Sequence, residues 1–209
     1  MSTLFERFKC VHTLPLILSV LILGCTRPED REGGGMLTIK GSDTMVHLVV
    51  EWTERYSEDN PDAHISVTGG GSGTGIAALI NGSTDICMSS REMKEEEQQQ
   101  AQARGTTVQE VIVGRDGIAI AVNPGNPIEK LTMEELEKIF TGATTRWSEV
   151  GGPDEPITVL SREVSSGTYV FFQEHVLNKK DFTSTARLLP ANTSIVQALQ
   201  TDQWSIGYI

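Results

Sequence analysis

Three times in this chain a short apolar run leads into a loop of glycine and small hydroxyl residues, and an apolar-periodic run follows. The loops are Gly41-Ser42-Asp43-Thr44, the stretch GGGSGTG from Gly69 to Gly75, and Ser165-Ser166-Gly167-Thr168. Strand, loop and helix, repeated in that order, restrict the chain to an α/β fold with its loops gathered at the carboxyl ends of the strands. The first N–H groups of a helix have no acceptor within it and carry partial positive charge, so each loop is also a seat for a small oxyanion. Arg162, just upstream of the third loop, offers a planar fork of donors matched to phosphate oxygens.

The periodicities place the elements. Residues 37–40 and 64–68 read as strands entering the first two loops, and 85–88 as a strand entering Ser89-Ser90-Arg91. Met45, Val49, Trp52 and Tyr56, at helical spacing, predict an amphipathic helix stopping at Asn60-Pro61. A short helix is expected over 76–80, and a polar one over 93–104 that reads as a solvated surface element. Two apolar strands, 108–113 and 117–122, look like a crossing between lobes. Helices over 132–140, 168–177 and 194–200 and a strand over 157–161 complete the second lobe. The apolar end, 204–209, reads as a strand, and a further segment completing the first lobe is expected beyond it.

Near the N-terminus, Arg7 and Lys9 precede the apolar run 14–23, which is shorter than the roughly 20 residues a membrane span needs. The run ends in Ile22-Leu23-Gly24-Cys25, which resembles a bacterial lipobox with Cys25 as the lipidated residue. Residues 1–24 are therefore expected to be an export signal and 25–36 a lipidated tether. Lobe I then spans 37–113 and lobe II 114–209. Cys87 alone remains in the folded part, as a small buried thiol, so no disulfide and no metal cluster is expected. The 209 residues carry a net charge of −11, which argues against a nucleic-acid partner. An anion must then be held by short-range hydrogen bonds and helix ends, against the overall field.

The residues alone leave the glycine loop open between an anion cradle and a structural turn. It is not a Walker A motif, since Ile76 follows Gly75, and neither a dinucleotide fingerprint nor a nucleophile elbow fits its spacing. Ser166, Gly167 and Thr168 after Arg162 form the sharper pattern. Arg91 beside Ser90 reads equally as an exposed salt-bridging residue, and Asp43 as a helix cap. A serine hydrolase or phosphatase using Ser72 or Ser166 would need a histidine base, and none of His47, His64 and His175 stands at a recognisable spacing.

Taken in order, GSDTM, ISVTGGGSGTGIAALINGSTDI, GIAIAVNP, LTMEELEKIFTGATTRWSEVGG and SREVSSGTYVFF resemble the PstS family, the phosphate-binding proteins of bacterial Pst-type ABC transporters. The resemblance covers 37–209. It implies a two-lobed, type II periplasmic binding protein fold that closes on phosphate between the lobes, with the first lobe incomplete here. It implies phosphate contacts from Thr44, the backbone of Met45, Ser72, Ser90, Arg162, Ser166, Gly167 and Thr168, with Ser42, Asp43 and Arg91 as further contacts. Ser90 stands where the family carries an aspartate that accepts the phosphate proton, which keeps sulfate, molybdate and tungstate open as ligands; Asp43 could replace that acceptor. The expected protein is a monomeric receptor, not an enzyme and without a cofactor. It would deliver inorganic phosphate to membrane permease subunits from the periplasm or the outer face of the cell envelope, touching the membrane only through its lipid.

Overall fold

The computed structural model describes residues 35–209, so the expected export signal, Cys25 and nearly all of the tether lie outside the described residues. Two sheets organise the chain, each with helices packed against it. In the first, β1 (Leu37–Gly41) lies between β2 (Ile65–Thr68) and β3 (Ile86–Met88), all parallel. Parallel neighbours need crossovers, which are α1 (Val46–Asp59) and α2 (Ser72–Ile80). β3 leads on to α3 (Glu95–Ala103).

The second sheet has the order β4 (Ile120–Val122), β7 (Ser205–Tyr208), β5 (Thr158–Arg162), β6 (Arg187–Leu189), with only β4 antiparallel to its neighbour. Its helices are α4 (Met133–Thr141), α5 (Gly167–His175) and α6 (Asn192–Thr201), and a 3₁₀ turn runs over Trp147–Val150. The sequence reason for α4 is local. Thr132 caps it, accepting from the Glu135 N–H while the Glu135 carboxylate accepts from the Thr132 N–H, and Gly142 ends it in the left-handed region. Leu136, Ile139 and Phe140 on its buried face join Trp147, Val159, Phe172, Ile206 and Tyr208 in the main core. There Phe172 stacks on Tyr208, ring centres 4.2 Å apart.

Several expectations shift. The segment 108–113 forms no strand: it finds no neighbouring strand to satisfy its backbone, and Val111, Ile112 and Val113 are exposed. The outer edge of β3 is likewise unpaired among the described residues. Of the four apolar residues expected to bury one face of α1, Val49 is buried, whereas Trp52 and Tyr56 are exposed. The polar helix α3 is not wholly solvated, because Ala101 packs with Ile76 and Ile80. The glycine loop is shorter than expected, since Ser72 already opens α2 and Gly73 and Gly75 lie inside it. No helix among the described residues is long and apolar enough to cross a membrane.

Gly75 shows why glycine persists within α2. A Cβ there would lie 2.5 Å from both the Gly41 Cα and the Lys40 carbonyl oxygen, atoms of the strand end that sets the first loop. Gly75→Ala is expected to lower stability by about 1–3 kcal/mol in urea unfolding of the full chain. Gly114→Ala, with nothing within 4 Å, should change it by less than ~0.5 kcal/mol. A second prediction concerns Tyr208, whose hydroxyl burial pushes up to about 12. The unfolded phenol ionises near ~10, so the folded state retains a proton that the unfolded state releases, and stability falls as pH rises from about 10 towards 12. Tyr208→Phe should flatten that alkaline limb; an unchanged limb would mean other groups carry it.

Candidate functional site

The three loops meet. The first follows β1, and its Ser42 is buried with its N–H on the Met88 carbonyl, 2.9 Å away. The glycine loop follows β2, and Gly71 at φ 89 turns the chain into α2 with Ser72 fully buried. The third follows β5 and opens α5, capped by Ser166, whose Oγ accepts from the Tyr169 N–H.

Direct contacts tie the loops across the two sheets. The Gly73 N–H donates to the Ser165 carbonyl at 2.9 Å, and the Thr44 and Thr168 hydroxyls are 3.2 Å apart. Ser72 and Ser90 share a hydroxyl contact of 3.2 Å, and the Ser90 N–H donates to Ser72 Oγ at 3.1 Å. Gly167 seats against this pair: a Cβ there would lie 2.5 Å from Ser90 Oγ and 3.1 Å from Ser72 Cβ. Only a residue without a side chain permits that approach. The Gly167 and Thr168 N–H groups, first of α5, have no acceptor within the helix. Ser72, Ser90, Thr44, Ser166, Gly167 and Thr168 therefore form one polar cluster built from both halves of the chain.

Arg162 is the buried cation beside it, 1% exposed. Its Nη1 donates to Asn192 Oδ1; its Nη2 donates to the Pro190 carbonyl at 2.7 Å and to Asp43 Oδ2 at 3.2 Å. Its Nε is buried without a partner among the described residues. Desolvation lowers the guanidinium from its ordinary value and the Asp43 charge draws it back. Arginine nevertheless stays charged in proteins, so this is a desolvated positive site. Its backbone is fixed as well: the Arg162 N–H donates to Tyr208 Oη at 3.2 Å, and Tyr208 Oη lies 2.8 Å from Ser161 Oγ.

Three of the expected residues are engaged with partners of their own. Asp43 does not cap α1, whose N-cap is Met45. Its carboxylate instead joins two loops, accepting from the Gly70 N–H at 2.9 Å as well as from Arg162. The Met45 N–H closes a turn onto the Ser42 carbonyl at 3.1 Å. Arg91 has both terminal nitrogens on Glu97, at 2.7 and 2.8 Å, because that carboxylate caps the start of α3 beside it. Asn192 and Tyr208, which hold Arg162, carried no sequence signal, since both contacts join residues at least thirty positions apart. His175 lies outside the cluster with Nδ1 at the Phe171 carbonyl. Among the described residues no three His, Cys, Asp or Glu side chains are grouped to hold a metal ion.

Residues 26–209 match the model of the PBP superfamily domain. The phosphate-binding protein PstS of Staphylococcus haemolyticus is 32% identical over 216 residues, covering 97% of this chain and 67% of the relative. That of Bacillus subtilis is 36% identical over 172 residues, covering 78% of this chain and 56% of the relative. The chain thus spans about two thirds of the length of the staphylococcal relatives. Among solved structures, a phosphate ABC transporter substrate-binding protein from Clostridium perfringens with bound phosphate superposes with a TM-score of 0.77 at 34% identity, covering 84% of this chain and 70% of that one. An ABC-type phosphate transport receptor from Vibrio cholerae gives 0.64 at 32% identity, over 83% and 70%. With its two sheets flanked by helices and these relatives, the chain belongs to the PBP superfamily, has the type II periplasmic binding protein fold and is a member of the PstS family.

Proposed function

We propose that the chain is the substrate-binding part of a phosphate ABC importer. It captures inorganic phosphate where the three loops meet and hands it to membrane permease subunits. The carrying observation is that the starts of α2 and α5 meet among four hydroxyl side chains, while the desolvated Arg162 guanidinium is joined through Asp43 to the first of the same loops. The names of the relatives support the same reading. No bond need be made or broken. Donors from helix ends and hydroxyls meet the phosphate oxygens, and Arg162 supplies the one strong charge. Among the described residues no histidine bonds the hydroxyls of Ser72 and Ser166, the serines a hydrolase would use. The lipid on Cys25 and the export signal belong to this proposal, which places the receptor outside the cytoplasmic membrane as a tethered monomer.

At about −1.5 kcal/mol for each atom of phosphate, the total is roughly −7.5 kcal/mol, a low-micromolar Kd. Tighter binding requires charge-assisted bonds in a dry cleft, which is the role of Arg162. A second ligand reading rests on Ser90, a hydroxyl where the family resemblance implies an aspartate. Without that carboxylate the rejection of fully ionised sulfate falls to Asp43.

Calorimetry of the full chain should show phosphate binding that Arg162→Ala weakens at least tenfold; a loss under twofold would remove Arg162 from the site. Asp43→Asn should raise sulfate affinity relative to phosphate. Unchanged discrimination would exclude Asp43 as its source, and tighter binding of sulfate or molybdate by the unaltered chain would overturn the phosphate assignment.

A further inference from the structure

The acceptors around Arg162 are unequal in charge, and that inequality singles out a residue at the start of α6. A buried guanidinium presents five N–H donors that need partners. Asp43, from the first lobe, supplies a carboxylate. The other two acceptors, Pro190 O and Asn192 Oδ1, come from the turn between β6 and α6 and are neutral. Because arginine only donates, the Asn192 carboxamide must present its oxygen, which fixes the side chain's orientation. The turn therefore grips Nη1 and Nη2 from within the second lobe without cancelling the positive charge.

We propose that Asn192 is a positioning residue of the anion site: it fixes the plane of the Arg162 guanidinium and acts on anion affinity only through Arg162. This inference rests on the phosphate reading of the site. A neutral amide suits the role. A carboxylate at 192 would hold the guanidinium equally well but, with Asp43, would surround one cation with two negative charges and repel the ligand. Asn192 opens α6 and Ala191 provides no side-chain cap, so an aspartate there is compatible with the helix.

The test is a double-mutant cycle read by phosphate calorimetry on the full chain, with ligand-free ¹⁵N spectra of the arginine guanidinium groups. Asn192→Ala should weaken phosphate binding about tenfold, in line with a hydrogen bond to a charged group. In the Arg162→Ala background, titrated into the millimolar range, the same substitution should change affinity less than twofold. Asn192→Asp should weaken binding at least as much as Asn192→Ala while leaving the ligand-free Tm no lower than that of the unaltered chain. An equal loss in both Arg162 backgrounds would overturn the proposal, as would full affinity in Asn192→Asp. The spectra decide independently of any ligand. Separate Arg162 Nη1 and Nη2 signals should be present in the unaltered chain and merge in Asn192→Ala, and signals identical in both would sink the positioning role. A chain that shows the held guanidinium but binds no phosphate would refute the phosphate reading and leave the grip of Asn192 established by the spectra.

Discussion

The placement of Arg162 is the constraint on which the rest of this structure depends. A guanidinium 1% exposed is costly unless nearly every donor finds an acceptor. The three hydrogen bonds from Nη1 and Nη2 draw two separate stretches together: the first loop through Asp43, and the turn from β6 into α6 through Pro190 and Asn192. The first of these follows a strand of the other sheet, so a contact to the cation also joins the two sheets. Tyr208 fixes the backbone of the same residue from the aromatic core, linking the packing of Phe140 and Phe172 to the position of the charge.

Around this point the work divides by reach. Helix ends and hydroxyls act over a single hydrogen bond and tolerate a chain whose net charge is −11, whereas long-range attraction would not. Glycines act by absence. Gly71 runs so close to Ser165 that a Cβ would stand 2.5 Å from its carbonyl oxygen, and Gly167 lies equally near Ser90 Oγ. Close backbone approach is what would let two helix N-termini address one small ligand at the proposed site. The same crowding means that part of α2's donor capacity, the Gly73 N–H, is already engaged with Ser165, in the loop after β5.

Much of this is legible in the sequence alone. The strand-to-loop junctions and the starts of α4 and α5 follow from local chemistry, such as the Thr132–Glu135 capping box and the Ser166 cap, which neighbours in sequence write unaided. Ser166, Gly167 and Thr168 are legible for the same reason, as hydroxyls and a glycine at a helix start, whereas Thr44, Ser72 and Ser90 come from the family resemblance. What escaped was set by distant partners. The stretch 108–113 has a strand's composition but gains no ladder without a neighbour, and Trp52 and Tyr56 follow a helical period without a surface to cover them. For Arg91 the salt-bridging reading is the one that holds, with Glu97, positioned by the capping of α3, as its partner. Asn192 and Asp43 owe their roles to contacts across 30 and 119 positions, which no short-range pattern encodes.

The most direct test of the central claim is a phosphate titration of the ¹⁵N-labelled full chain followed by amide chemical shifts. If the three loops form one anion site, the shifts concentrate at Ser72, Ser90, Gly167 and Thr168, with the Arg162 guanidinium moving in step, and all follow a single saturation curve. Shifts confined to one loop, or saturation at different phosphate concentrations for residues of the two lobes, would contradict a shared site.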